Sequence, residues 1–166
     1  MISLNINSII VDDEANGREN INILLKEFCP EVEIVGVASN LREAESLIKE
    51  KRPQLVFLDI QMPKINGFEM LELVQPMPAV IFITAFDEFA LKAFEANAID
   101  YLLKPVAEER FEKAIHKKGL IENLSVLKFS LNESSYKKLT WENNKEFQYQ
   151  NEMYDLVFST IHPFYP

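Results

Sequence analysis

The sequence predicts an α/β fold: a doubly wound, five-stranded parallel sheet with helices on both faces. Short apolar runs rich in β-branched residues alternate with amphipathic stretches five times before residue 118. Such alternation is the signature of strands joined by helical crossovers, which are right-handed. The runs are continuously apolar rather than alternating, as suits strands buried on both faces. Hydrophobic residues make up 48% of the chain, enough to build a core.

The elements follow in order. Ser8–Val11 is a strand that ends in Asp12-Asp13-Glu14. In the stretch Asn16–Phe28, Ile21, Leu24, Leu25 and Phe28 recur at helical spacing. Val32–Ala38 is the second strand, after the Cys29-Pro30 break. Asn40 is placed to cap a helix over Leu41–Lys51, whose Ala44, Leu47 and Ile48 share a face. Arg52-Pro53 stops it, because the residue before a proline is pushed out of helical geometry. Leu55–Leu58 is the third strand and ends at Asp59. A loop, Gln61–Asn66, leads to a short helix over Gly67–Val74. Ala79–Thr84 is the fourth strand, and Glu88–Ala96 the fourth helix, with Ala90, Leu91, Ala93 and Phe94 apolar. Tyr101–Leu103 is the fifth strand, cut off by Lys104-Pro105. Ala107–Lys117 is the fifth helix, with Phe111, Ala114 and Ile115 facing in.

Past that helix the pattern breaks. The reading divides the chain into a domain over residues 1–118 and a linker and tail over 119–166. Gly119 is suited to the position after the helix. Ser125–Leu131 and Tyr136–Trp141 are strand-like, but some fifty residues are marginal for an independent fold. The net charge of −9 lies wholly in residues 1–115, since 116–166 hold six lysines and six acidic residues. No segment carries the basic face that nucleic-acid binding needs. The first residues lack the basic start and cleavage-type small residues of a signal peptide. No apolar run approaches the ~20 residues of a membrane span. The single cysteine, Cys29, cannot form an internal disulfide, and a cytoplasmic protein is expected.

Chemistry concentrates at the strand ends. In open parallel sheets ligands bind beyond the carboxyl ends of the strands. The first strand ends in Asp12 and Asp13, the third in Asp59, the fourth in Thr84 and the fifth in Lys104. If the first and third strands are neighbours, three carboxylates crowd one small site. Like charges so close are costly unless neutralised. Mg²⁺, a hard cation that takes oxygen ligands and keeps several waters, meets that need. Asp13 and Asp59 are the expected direct ligands, with Asp12 acting through water and the Gln61 carbonyl completing the set. Asp59 then has the character of a carboxylate nucleophile that accepts a phosphoryl group. Lys104 and Thr84 are placed to meet the phosphoryl oxygens.

Taken singly, each residue has an ordinary reading. Asp12, Asp13 and Glu14 suit a helix N-terminus. Asp59 suits a turn, Thr84 a strand end, Lys104 a solvated surface and Tyr101 a half-buried core position. His116 suits a helix C-terminus, His162 has no evident partner, and Cys29 suits a small packed site. The joint placement at strand ends favours the functional reading.

In those stretches the chain resembles the receiver domain of bacterial two-component response regulators. The matching segments are Ile10-Val11-Asp12-Asp13-Glu14, Asp59-Ile60-Gln61-Met62-Pro63 running to Gly67, Ile83-Thr84-Ala85, and Tyr101-Leu102-Leu103-Lys104-Pro105. The resemblance implies a flavodoxin-like sheet of order 2-1-3-4-5 and a cis Lys104–Pro105 bond. It implies that a sensor histidine kinase phosphorylates Asp59, so that the domain is a regulator rather than an enzyme. It further implies a switch in which Thr84 moves toward the phosphate and Tyr101 rotates inward. The face formed by the fourth helix, fifth strand and fifth helix then binds a partner, often a second receiver as a homodimer. In the family, the position two after Thr84 helps to set how fast water attacks the phosphate. Phe86 stands there, and with Gln61 it predicts a slowly decaying phosphoryl-Asp59. Phe86 through Glu95 resembles the subfamily with LytTR-type DNA-binding outputs, although no such output is recognisable in 119–166.

Two other functions compete. A haloacid-dehalogenase-type phosphatase also uses an aspartate nucleophile with Mg²⁺, but resembles Asp-x-Asp where this chain has Gln61. An unphosphorylated interaction module would not need the intact acidic set.

Overall fold

The computed structural model describes residues 5–75 and 77–117. The expected linker and tail, with its two strand-like stretches, lies outside the described residues. Five strands and five main helices follow one another: β1 (Ile6–Val11), α1 (Ala15–Phe28), β2 (Val32–Ala38), α2 (Leu41–Lys51), β3 (Leu55–Leu58), α3 (Gly67–Leu73), β4 (Ala79–Thr84), α4 (Ala90–Glu95), β5 (Asp100–Leu103) and α5 (Glu108–Ile115). The strands form one sheet of order β2-β1-β3-β4-β5, with every neighbouring pair parallel. This is the flavodoxin-like, doubly wound arrangement expected.

Alternate strand residues point to opposite faces. Ile9, Val11, Val56, Leu58, Val80 and Phe82 join a core with Ala44 and Ile48 of α2, Phe68 and Met70 of α3, and Ala93 of α4. On the other face Phe57 stacks on Phe111 of α5, with ring centroids 5.8 Å apart. Both rings are fully buried, so truncating either to alanine should cost about 3–5 kcal/mol.

Local chemistry explains most element ends. The Asn40 side chain accepts from the Glu43 N–H and caps α2, while Arg52 closes that helix in the left-handed region. Asn66 and Glu69 form a reciprocal capping box that starts α3. The expected loop Gln61–Asn66 is a tight hairpin, with Gln61–Met62 paired antiparallel to Ile65–Asn66. Lys64 turns it at a φ of 74°. Helix α4 starts at Ala90 rather than at the expected Glu88. Its N-cap, Phe89, has no side-chain acceptor for the first free amides. Leu91 and Phe94 of α4 and Leu103 of β5 are exposed.

Register decides what meets at the sheet's carboxyl edge. Val11 pairs with Leu58, so Asp12 and Asp59 emerge side by side. The Asp59 N–H donates to the Val11 carbonyl at 2.9 Å. Thr84 pairs with Leu103, and the Lys104 N–H donates to the Thr84 carbonyl at 2.8 Å.

Candidate phosphoacceptor and metal site

Three carboxylates converge at that edge. Oxygens of Asp12, Asp13 and Asp59 lie within 4.8 Å of one another. Asp12 and Asp59 are 3% and 7% exposed, so bulk water screens their repulsion poorly. Asp13 is the most exposed of the three.

The charge is partly met by Lys104. Its Nζ lies 2.7 Å from Asp12 Oδ2 and 2.7 Å from Asp59 Oδ2, with Glu14 Oε2 farther out at 3.5 Å. Burial disfavours the ammonium, but its hydrogen bonds and charge contacts with Asp12 and Asp59 outweigh that and hold Lys104 above the ordinary lysine range. The peptide bond that follows, Lys104–Pro105, is cis as expected. Backbone donors hold the remaining oxygens. The Glu14 N–H donates to Asp12 Oδ1 at 2.8 Å, and the Gln61 N–H donates to Asp59 Oδ1 at 3.3 Å.

The other expected residues fall around this centre. Thr84 is fully buried, and its Oγ1 accepts from the Phe86 N–H at 3.5 Å. Tyr101 is half-buried, and its hydroxyl donates to the Phe86 carbonyl. Burial first, then the charges of Asp87, Glu88 and Asp59, push its phenol up. The Phe86 ring meets Phe89 edge-on with centroids 6.2 Å apart, so its contact is with the β4–α4 turn. Gln61 is exposed. It also lines a cleft with Ile60, Met62, Asn66, Phe68, Phe89 and Lys92, which includes none of the carboxylates.

Two residues of α1 belong to this site and were not singled out in the sequence. A Cβ built on Gly17 would lie 2.3 Å from Asp12 Oδ2, so only glycine lets the first turn of α1 close over that carboxylate. Arg18 Nη1 donates to the Asp12 carbonyl at 2.7 Å and to the Asp13 carbonyl at 3.1 Å. The available signal was a glycine and an arginine one helical turn beyond an acidic strand end.

The donor set suits a hard divalent cation. Three carboxylates, two of them bridged by one ammonium, leave two negative charges uncompensated, and every donor is oxygen. Asp12, Asp13 and Asp59 are the side chains that would hold the ion.

Residues 9–116 match the family model of the response regulator receiver domain. The transcriptional regulatory protein BtsR of Salmonella typhimurium is 50% identical over 111 residues, which are 66% of this chain and 46% of that protein. A response regulatory protein of Vibrio cholerae is 46% identical over 114 residues, 68% of this chain and 48% of its own length. The chain thus spans about half the length of the curated relatives it matches. Among solved structures, the response regulatory domain of MrkE from Klebsiella pneumoniae superposes with a TM-score of 0.61. It has 27% identity, over 75% of this chain and 99% of that one. A LuxR-family DNA-binding response regulator from Staphylococcus aureus gives a TM-score of 0.58 and 29% identity, over 68% and 97% of the two chains.

Proposed function

The chain belongs to the response regulator receiver family, and from that membership we propose that Asp59 is its phosphoacceptor. The donor is the phosphohistidine of a sensor kinase, as in two-component signalling. One observation carries the reading: Lys104 grips Asp12 and Asp59 at equal distance, with Asp13 beside them, at the edge where β1, β3 and β5 end.

Lys104 and the Gln61 N–H each hold one oxygen of Asp59, so the carboxylate is oriented before a donor arrives. An Asp59 oxygen attacks phosphorus; the new P–O bond forms as the P–N bond to the donor histidine breaks. The ammonium of Lys104 then turns to a phosphoryl oxygen, and the Thr84 hydroxyl serves another. Receiver domains generally bind Mg²⁺ at this acidic pocket, where the ion supplies charge neutralisation for the carboxylates and the transferring group. Asp13 and Asp59 are assigned as direct ligands, Asp12 as acting through water, and the Gln61 carbonyl as the fourth contribution.

Phosphorylation adds about −1.5 to −2 charges, which Thr84 and Lys104 are placed to answer. Thr84 is tied to Tyr101 through the Phe86 backbone, which bonds to both. Movement of Thr84 therefore reaches the α4–β5–α5 face, where Leu91, Phe94 and Leu103 are exposed. Homodimerisation through that face and transcriptional control through a LytTR-type output follow from the same reading. The domain division at residue 118 and a cytoplasmic location belong to it too. Among the described residues, no helix is long and apolar enough to cross a membrane.

The test is intact-mass measurement after acetyl phosphate and Mg²⁺, with a sizing column run on the same samples. The parent should gain one phosphoryl group and elute earlier, and Asp59→Asn should do neither. An equal mass gain in Asp59→Asn would move the acceptor elsewhere.

A further inference from the structure

We propose that Arg18 is a positioning residue for the divalent-cation site, acting through the backbone that carries Asp12 and Asp13. The inference rests on the Mg²⁺ reading above. Helix α1 begins without the usual device: its N-cap, Glu14, makes no side-chain capping bond, and its first turn contains no acidic residue. The Glu14 carboxylate instead lies 3.5 Å from the Lys104 ammonium. The turn between β1 and α1 is held by other contacts.

The Arg18 N–H donates to the Glu14 carbonyl at 3.1 Å, which places Arg18 one turn into the helix. From there its guanidinium reaches back, and a single nitrogen bonds the carbonyls of Asp12 and Asp13 at 2.7 and 3.1 Å. Gripping two successive carbonyls restrains the peptide planes on both sides of Asp13. The direction in which Asp13 leaves the backbone is thereby set before an ion arrives. Gly17 lets the turn approach Asp12 closely enough for this reach. The Glu14 N–H holds Asp12 Oδ1 from the same turn.

The two cations near the site have different tasks. Lys104 bonds carboxylate oxygens directly, so it must share or yield them when a divalent ion enters. Arg18 bonds only carbonyls here and leaves the carboxylate oxygens available. Its charge-assisted bonds are strong, and both come from the one terminal nitrogen that the long side chain carries back over the turn. Groups that orient metal ligands from behind commonly change metal affinity by about 10–100-fold when removed.

The experiment is calorimetric titration of MgCl₂ into the full chain, first stripped of metal, together with urea unfolding in EDTA. Arg18→Met should weaken Mg²⁺ binding about tenfold. Arg18→Lys, which keeps the charge on a shorter side chain, should fall between it and the parent. A merely structural arginine would lower the urea midpoint in EDTA and leave the Mg²⁺ affinity of the folded protein alone. Affinities within about twofold of the parent in both variants overturn the proposal. If Arg18→Met does not fold, Arg18→Lys decides by the same criterion. Asp13→Asn separates the two levels of inference. If it abolishes binding while both Arg18 variants bind within about twofold of the parent, the cation site stands and the role of Arg18 falls. If the parent takes up no Mg²⁺, both fall.

Discussion

Replacing Asp13 by Asn should make the metal-free protein more stable, although it removes a proposed ligand. The carboxylate oxygens lie within 4.8 Å of one another. Two unit charges at about that separation repel by about 3.5 kcal/mol at an effective dielectric of 20, and by about 0.9 kcal/mol in bulk water. Asp13 faces two carboxylates and one ammonium, which bridges them. Attraction to Lys104 cancels about one of the two repulsions, so about one remains. Asp13 is the most exposed of the three, which places the net effect between the limits, at about 1–3 kcal/mol. For a domain of this size that corresponds to a rise of roughly 3–10 °C in Tm. The assay is thermal unfolding in EDTA at low salt, then in millimolar Mg²⁺. The parent should gain stability with Mg²⁺, because a ligand that binds only the folded state stabilises it by mass action. Asp13→Asn should start higher and gain little. In 1 M KCl, where the Debye length is about 3 Å, the EDTA difference should shrink. An Asp13→Asn protein less stable than the parent in EDTA, and equally responsive to Mg²⁺, would refute the picture of three mutually repelling carboxylates.

Gly17→Ala places a methyl 2.3 Å from Asp12 Oδ2. Overpacking of about 1–3 kcal/mol should outweigh the roughly 1 kcal/mol that alanine brings to a helix, so urea unfolding should show a net loss. Cys29 is fully buried, and burial, reinforced by Glu31 and Glu112, pushes its thiol up to about 12 from 9.0. Iodoacetamide should label it slowly at pH 8.5 and rapidly only in denaturant. Because the folded thiol keeps its proton longer than the unfolded one, stability should fall between pH 9 and 12, and Cys29→Ser should flatten that slope. Phe86→Glu should shorten the life of phosphoryl-Asp59, measured by intact mass after removal of acetyl phosphate. A decay no faster than the parent's counts against shielding by Phe86.

Periodicity and strand-end chemistry were enough to read five strands, five helices and the residues at the sheet's carboxyl edge. These are local signals: a β-branched run, a helical apolar face, the proline after Lys104, the cap at Asn40. Two features lay outside those signals. Helix α4 starts at Ala90, two residues later than the apolar spacing over Glu88–Ala96 indicates. The link from Thr84 through the Phe86 backbone to Tyr101 exists because β4 and β5 pair in one particular register.

The order of residues alone says which chemical groups the protein owns and which strand each one ends. It took the folded chain for Lys104 to clasp Asp12 and Asp59 together, for Gly17 to leave room above Asp12, and for Arg18 to reach back to two carbonyls. The difference is one of range. Propensity and periodicity act over a few residues, whereas the bond from Lys104 to Asp59 spans 45 positions and forms only when the sheet register brings both strand ends to one edge.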